Sequence, residues 1–196
     1  MRIIAGNAGG RLLLAPKGMD TRPTQDKVKE SLFSILQGEL ADARVLDLFA
    51  GSGALGLEAI SRGAAFAVFC DKARPAQQAV WHNVEALGFA ARCELLRCPW
   101  QVALRKIQAR GDRFDIVFLD PPYRMADAGE LLAALLQGTA VTEQTLVVYE
   151  HAKALPPPTD GWRCVDHREY GDTAVTFLRK KEGACAGADN SLSGFV

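Results

Sequence analysis

Hydrophobic and polar positions along the chain predict strands and helices in alternation. Short apolar runs are typical of buried strands, whereas apolar residues repeating every three or four positions predict helices. Alternation of the two predicts an α/β fold whose mostly parallel sheet is covered on both faces. The predicted strands are residues 45–49, 67–70, 93–96, 115–119 and 145–150. A first helix is predicted to begin with Thr24 as its cap. Four further helices are predicted at residues 54–62, 75–87, 100–108 and 128–137.

The pattern changes near the carboxyl terminus. After three consecutive prolines, two runs at 162–169 and 174–179 flank Tyr170-Gly171-Asp172-Thr173. This arrangement predicts an antiparallel hairpin that closes one edge of the sheet. Residues 183–196 are rich in Gly, Ala and Ser, and we expect them to be disordered.

A glycine-rich turn follows the first predicted strand. Gly51, Gly53 and Gly56 fit the dinucleotide-binding spacing, and Asp71 stands twenty residues after Gly51, where a ribose-binding carboxylate belongs. Asp47, four residues before the first glycine, argues against NAD because its charge would repel a pyrophosphate. S-adenosylmethionine carries a sulfonium and an ammonium group and no phosphate, so it suits this carboxylate better. The glycines still let the backbone approach such a ligand closely.

A second motif, Asp120-Pro121-Pro122-Tyr123, directly follows the apolar run at 114–119. The Asp120 carboxylate can accept hydrogen bonds from an exocyclic NH2 group, Pro121 has a fixed φ and no N–H, and Tyr123 can stack on a planar ring. The set suits a planar nitrogen nucleophile, although a Pro-rich turn of purely structural origin would also contain these residue types. Because Asp47, Gly51, Asp71 and Asp120 all follow predicted strands, we expect them at one rim of the sheet.

Charge is distributed unevenly although the formal net charge is zero. Residues 1–29 contain six Lys or Arg against two Asp, so this segment is +4 and the remainder is −4. A basic segment on an acidic body is typical of phosphate contact from one side, and equally of an ordinary solvated surface. If the partner is a nucleic acid, the candidate contacts to its backbone are Arg2, Arg11, Lys17, Arg22 and Lys27.

Cysteine and hydropathy patterns limit the other function classes. The five cysteines form no C-x-x-C pair, so neither a disulfide framework nor a zinc site is indicated. We expect no metal. With no signal peptide and no long apolar stretch, a cytoplasmic protein without membrane contact is expected.

Four segments together closely resemble the bacterial small-subunit (16S) rRNA guanine N2-methyltransferases, the RsmD-like group. They are residues 2–6, 22–30 (Arg-Pro-Thr and its helix), 47–56 and 120–123. The resemblance implies the class I S-adenosylmethionine-dependent methyltransferase fold, Rossmann-like, with a seven-stranded sheet. It also implies one rRNA guanine as target, methylated during ribosome assembly. We expect the chain to contain a basic N-terminal arm and helix (1–40), the methyltransferase domain (41–181) and a disordered tail (182–196).

One departure from the family concerns adenine recognition. The group usually carries Asp or Asn just after the third strand, where this chain has Cys98, a poor acceptor, so the backbone is expected to read the adenine there. The candidate catalytic residues are Asp120, Pro121 and Tyr123, and the candidate cofactor-binding residues are Asp47, Phe49, Gly51, Gly53, Asp71, Cys98 and Thr24.

Three functions remain open on the residues. The first is rRNA guanine N2 methylation by a monomer that acts on RNA or on an assembling ribosomal particle. The second is methylation of another planar amine, such as adenine N6 or a protein amide. The third is a nucleotide-binding oxidoreductase or a non-catalytic binding module, which Asp47 and the Asp120 motif argue against.

Overall fold

The computed structural model describes residues 1–16, 23–122 and 128–184, with the backbone alone at 23–25 and 128. Within these residues, five α-helices and seven strands form the fold. The helices are α1 Pro23–Ile35, α2 Ala54–Ser61, α3 Arg74–Ala86, α4 Trp100–Arg110 and α5 Ala128–Gln137, with short 3-10 helices at Leu36–Glu39 and Ala90–Arg92. The strands are β1 Arg44–Asp47, β2 Phe66–Cys70, β3 Cys93–Leu96, β4 Ile116–Leu119, β5 Leu146–Ala152, β6 Trp162–Tyr170 and β7 Thr173–Lys180.

All seven strands form one sheet in the order β3-β2-β1-β4-β5-β7-β6. Strands β1 to β5 are parallel to one another, whereas β7 runs antiparallel to β5 and β6 runs antiparallel to β7. The predicted mostly parallel sheet with a C-terminal antiparallel hairpin is therefore confirmed. The order reverses between β1 and β4, which is where such sheets bind ligands.

Apolar side chains cover the sheet on both faces. On one face α1, α2 and α3 contribute Phe33, Ile60 and Val80 to a buried cluster. On the other face α4 and α5 contribute Ile107 and Leu135 to a second cluster. We call these the α1 face and the α4 face. The predicted strands and helices lie within two residues of those observed, because each apolar run had to match one buried strand or helix stripe.

Several predicted boundaries were wrong by one or two residues, and two of them have a clear physical cause. α1 begins at Pro23, so Thr24 lies within the first helical turn and is not the cap. Proline suits this place because its fixed φ is helical and its missing N–H would have been unpaired anyway. β5 continues to Ala152, because its last residues pair with the start of β7 through Ala152 and Thr173.

Residues 1–16 pack against the α1 face. Ile3 and Leu13 belong to its buried cluster. Glu58 of α2, fully buried, accepts hydrogen bonds from the amides of Ile4 (2.7 Å) and Ala5 (3.0 Å) and forms ion pairs with the side chains of Lys29 and Arg62. This buried carboxylate fixes the segment to the body. The division at residue 40 stays a prediction.

Candidate active site

The glycine turn joins β1 to α2 and is held by the carboxylate of Asp47. Asp47 ends β1 with 2% of its surface exposed, and its Oδ2 accepts a hydrogen bond from the Gly56 amide at 3.2 Å. Gly51 (φ +56°) and Gly53 (φ +80°) adopt left-handed conformations that favour glycine. A Cβ on Gly56 would lie 2.4 Å from the Phe69 ring, so glycine there lets α2 pack directly on β2.

Asp71 follows β2 and braces the same turn. Its Oδ2 accepts a hydrogen bond from the Gly51 amide at 3.0 Å, and its Oδ1 accepts one from the Ala73 amide at 2.8 Å. The half-buried carboxylate thus links the glycine turn to the start of α3. Sequence reasoning expected only a ribose contact from Asp71 and missed this positioning role. Each carboxylate oxygen can accept a second hydrogen bond, so ribose hydroxyls remain compatible with it.

Asp47 is buried, and no cation among the described residues pairs with its carboxylate. Loss of solvation is the largest cause that raises the pKa of Asp47 to about 7, and the negative charges of Asp120 and Asp71 add to it. Hydrogen bonds from the Gly56 and Phe49 amides oppose this rise in pKa. A positively charged ligand at the turn would favour the ionised carboxylate.

The other residues predicted to bind the cofactor are less clearly arranged. Cys98 follows β3 and is buried among apolar residues of the α4 face. Its amide donates to the Leu96 carbonyl at 3.0 Å, and its carbonyl accepts the Cys70 thiol with 3.2 Å between S and O. These contacts occupy the Cys98 amide, so backbone reading of an adenine at this residue would need its neighbours. Phe49 is partly buried and packs on the same face, and the Thr24 side chain lies outside the described residues.

Asp120 follows β4 directly, one strand away from Asp47. Pro121 is buried and Pro122 exposed, and Tyr123 lies outside the described residues. The Asp120 side chain presents an exposed surface, yet protein atoms surround it closely enough that loss of solvation raises its pKa. Such a carboxylate is poised to accept a proton near neutral pH.

Glu150 on β5 is a candidate residue that sequence reasoning did not select. Leu119 pairs with Tyr149 in the parallel register, so Asp120 and Glu150 come next on adjacent strands. Burial raises the pKa of Glu150, and the negative charge of Asp120 raises it further. A Glu inside an otherwise apolar strand run was the available signal, because a charge is rarely buried there without a role.

The predicted RNA contacts are only partly described. Arg2 is exposed and lies 3.6 Å from Asp26, and Lys27 is exposed on α1. Arg11 donates from its guanidinium to the Ala86 carbonyl at 2.8 Å, at the end of α3. Lys17 and Arg22 lie outside the described residues. The arrangement leaves Arg2, Arg11 and Lys27 at the surface, where phosphate contact by them stays a prediction.

No helix in the part of the chain that the structure describes combines the length and the apolar character needed to cross a membrane.

Comparison with known proteins identifies the family. The family model described as "Conserved hypothetical protein 95" matches residues 1–179. The chain belongs to this family. It is 38% identical over 183 residues to "Putative rRNA methyltransferase YlbH" of Bacillus subtilis, with 92% of this chain and 100% of that protein covered. It is 32% identical to "Ribosomal RNA small subunit methyltransferase D" of Escherichia coli, with 96% and 94% covered. The resemblance to the RsmD-like group is thus confirmed.

Solved structures confirm the methyltransferase fold of this RsmD-like protein. "Putative methyltransferase yhhF from Escherichia coli" superposes with a TM-score of 0.80 at 32% identity, covering 92% of this chain and 98% of that one. A more distant structure is described as a putative methyltransferase complexed with SAH. It superposes with a TM-score of 0.67 at 17% identity, and the match covers 81% of this chain and 50% of that one. At this identity the likeness shows the fold alone.

Proposed function

We propose that this protein transfers a methyl group from S-adenosylmethionine to the exocyclic N2 amine of a guanine in small-subunit rRNA. The observation that carries the proposal is that Asp47 ends β1 and Asp120 directly follows the adjacent strand β4, at the point where the strand order reverses. A cofactor bound at the first carboxylate would place its reactive centre beside the second. The relatives named as rRNA methyltransferases support RNA as the substrate.

The residues at the turn fit this cofactor. S-adenosylmethionine, when bound, supplies an electrophilic methyl group on a positively charged sulfur. Asp47 offers a buried negative charge with no cation partner in the described ranges. The space beside Gly51 is open to a ligand, because a Cβ built there would meet only the Phe49 carbonyl, at 4.0 Å. Asp71 holds the turn and keeps lone pairs for hydroxyl groups. A phosphate-bearing cofactor would instead meet the repulsion of Asp47 and Asp71.

Alignment of the amine is the main task of the Asp120 motif. The guanine N2 lone pair is delocalised into the ring, so the amine is a weak nucleophile. Hydrogen bonds from its two N–H groups to Asp120 and to the Pro121 carbonyl would orient it, and Asp120 would accept the proton released as the N–C bond forms. Tyr123 would stack on the base after it leaves the RNA stack.

Glu150 gives a chemical reason for guanine rather than adenine. Guanine presents N1–H beside its N2 amine, so two donors face the enzyme, whereas adenine presents an acceptor at N1 beside its amine. Two neighbouring carboxyl groups, Asp120 and Glu150, can accept from both guanine donors. When Glu150 is ionised, an acceptor at that place would meet a carboxylate and be disfavoured. Because burial and the charge of Asp120 raise the pKa of Glu150, this discrimination should strengthen as pH rises.

The proposal also includes the contacts to the RNA backbone, the form of the substrate and the oligomeric state. Arg2, Arg11, Lys17, Arg22 and Lys27 would contact the RNA backbone beside the flipped base. The substrate is rRNA, free or within an assembling ribosomal particle, and the enzyme acts as a monomer.

Nucleoside analysis tests the proposal directly. Purified protein is incubated with S-adenosylmethionine and small ribosomal subunits or rRNA from a strain that lacks the enzyme, and the RNA is digested for mass spectrometry. We expect N2-methylguanosine at one position, and far less of it with Asp120→Ala when both reactions are stopped at the same early time. Methylation of adenine, or of ribosomal protein only, would favour the second function, and tighter binding of NAD than of S-adenosylmethionine would contradict the proposal.

A further inference from the structure

An open groove of about 500 Å³ lies along α3 and reaches the carboxyl end of β3. It stands apart from the Asp120 motif, because β2 and β1 separate β3 from β4 in the sheet. Residues of α3 and of the loops after β2 and β3 form its walls. They include Lys72, Arg74, Gln78, Trp81, His82 and Arg97.

Positive charge dominates this groove. Lys72, Arg74 and Arg97 are exposed and form no ion pair within the described ranges. Elsewhere many cations are paired, as Arg44 is with Asp112 and Arg110 with Glu94. The acidic residue that lines the groove, Glu85, accepts a hydrogen bond from the Trp81 indole at 2.8 Å. Three unpaired cations in one concave surface are expected to attract an anion.

The position of the groove connects it to the proposed reaction. Lys72 follows Asp71, so the groove opens at the same rim as the glycine turn. Its other end reaches Glu85, next to Ala86, whose carbonyl accepts a hydrogen bond from Arg11 at the end of α3. Between Arg74 and Ala86 the helix rises about 18 Å, which suits an extended polyanion better than one small anion.

We propose that this groove binds the phosphodiester backbone of the RNA substrate, with Lys72, Arg74 and Arg97 as its phosphate contacts. The proposal rests on the proposed function for the identity of the RNA. It extends the predicted contact surface from the amino-terminal residues, through Arg11, along α3. The groove would hold RNA at a distance from the target base, so it would contribute to affinity and not to methyl transfer.

A paired-arginine comparison tests the groove. The variant Arg74→Ala/Arg97→Ala removes two groove cations next to Lys72, which is kept because it adjoins Asp71. The control Arg105→Ala/Arg163→Ala removes two exposed arginines, one on α4 and one on β6, that do not line the groove. Binding to transcribed small-subunit rRNA and to purified small subunits is measured over a range of salt concentrations, with calorimetry of S-adenosylhomocysteine alongside.

We expect the groove variant to bind RNA about tenfold or more weakly, and the slope of log affinity against log salt to flatten by about two, one for each lost contact. The control variant should keep the wild-type slope, and S-adenosylhomocysteine affinity should be unchanged in both. At saturating RNA the methylation rate should also be retained.

Two results separate the groove from the proposed function. If the groove variant keeps the wild-type salt slope while the wild type methylates guanine, the groove proposal is overturned and the proposed function stands. If the groove variant loses RNA affinity but the wild type methylates no guanine, the groove is supported and the proposed function fails. Loss of S-adenosylhomocysteine binding in the groove variant would assign the groove to the cofactor and overturn the RNA assignment.

Discussion

Asp120, directly after β4, lies level with Glu150 of the adjacent parallel strand β5. The register pairs Leu119 with Tyr149, and both of these side chains belong to the α4 face. Strand alternation therefore assigns Asp120 and Glu150 to the α1 face, as it does Asp47. Like charges so close cannot both ionise easily, so the two carboxyl groups share protons in the neutral range.

The first prediction concerns this pair. Since the charge of Asp120 raises the pKa of Glu150, Asp120→Asn should lower that pKa by removing the charge while keeping the side-chain shape. Carbon-13 NMR of the Glu150 carboxyl group across pH 4 to about 9 measures it directly. Asp115→Asn, an exposed acid at the opposite end of β4, serves as the control. An unmoved Glu150 titration in Asp120→Asn would show that the two groups do not interact.

The second prediction concerns catalysis. Asp120→Ala should lower the single-turnover rate of methyl transfer by roughly 10²-fold or more, the range expected when a positioned proton acceptor is lost. Cofactor affinity should stay near that of the wild type, because the Asp47 and Asp71 contacts with the glycine turn are retained. Asp120→Asn can still accept a hydrogen bond from the amine but cannot take its proton, so it separates orientation from proton transfer. A wild-type rate in Asp120→Ala would show that the motif is only a turn.

The third prediction uses the buried charge of Asp47. Its pKa of about 7 lies above its ordinary value of 3.8, so between these values the folded protein binds more protons than the unfolded chain. The stability contributed by this group therefore falls as pH rises towards about 7. Asp47→Asn, which can still accept from the Gly56 amide, should be more stable than the wild type at pH 8, by up to about 4 kcal/mol.

Two measurements check the Asp47 variant. Denaturant unfolding should show the stability gain shrinking as pH falls from about 7 to about 4, and vanishing below that, where the wild-type carboxyl group is protonated in both the folded protein and the unfolded chain. Calorimetry at pH 8 should show weaker S-adenosylmethionine binding, because the negative charge that favours the cation is gone. A less stable variant at pH 8 would mean that Asp47 is compensated in the folded protein.

Sequence patterns predicted most of the fold because burial has a simple signature. The five parallel strands are apolar runs, and a sheet covered on both faces leaves few other ways to bury them. The glycine turn was equally readable from its spacing, and Gly51 and Gly53 adopt the left-handed backbone that favours glycine. Local chemistry decided these features.

Long-range register explains what was missed. Glu150 becomes a site residue only because β5 pairs with β4, which no local pattern reveals. The bracing of Gly51 by Asp71 and the fixing of residues 1–16 by Glu58 likewise join distant segments. The groove along α3 needed both the helix face and Arg97 from another loop. Spacing along the chain indicated where strands end, but not which side chains those ends bring together.

The last prediction tests the close packing beneath the glycine turn. Phe69 is fully buried, so its ring has no free space to move into when a methyl group is added 2.4 Å away at Gly56. Gly56→Ala should therefore destabilise the protein by about 1 to 3 kcal/mol or more, as overpacked core substitutions do. It should also weaken cofactor binding, because a displaced α2 moves the Gly56 amide away from Asp47.

The matched control is Gly38→Ala in the 3-10 helix Leu36–Glu39, where the added Cβ meets nothing within 4 Å. Alanine at position 38 lowers the conformational entropy of the unfolded chain. The free energy of unfolding should therefore stay unchanged or rise by up to about 1 kcal/mol. Denaturant unfolding of both variants, with calorimetry of S-adenosylhomocysteine, distinguishes them, and equal stability of the two would show that the turn does not depend on contact between α2 and β2.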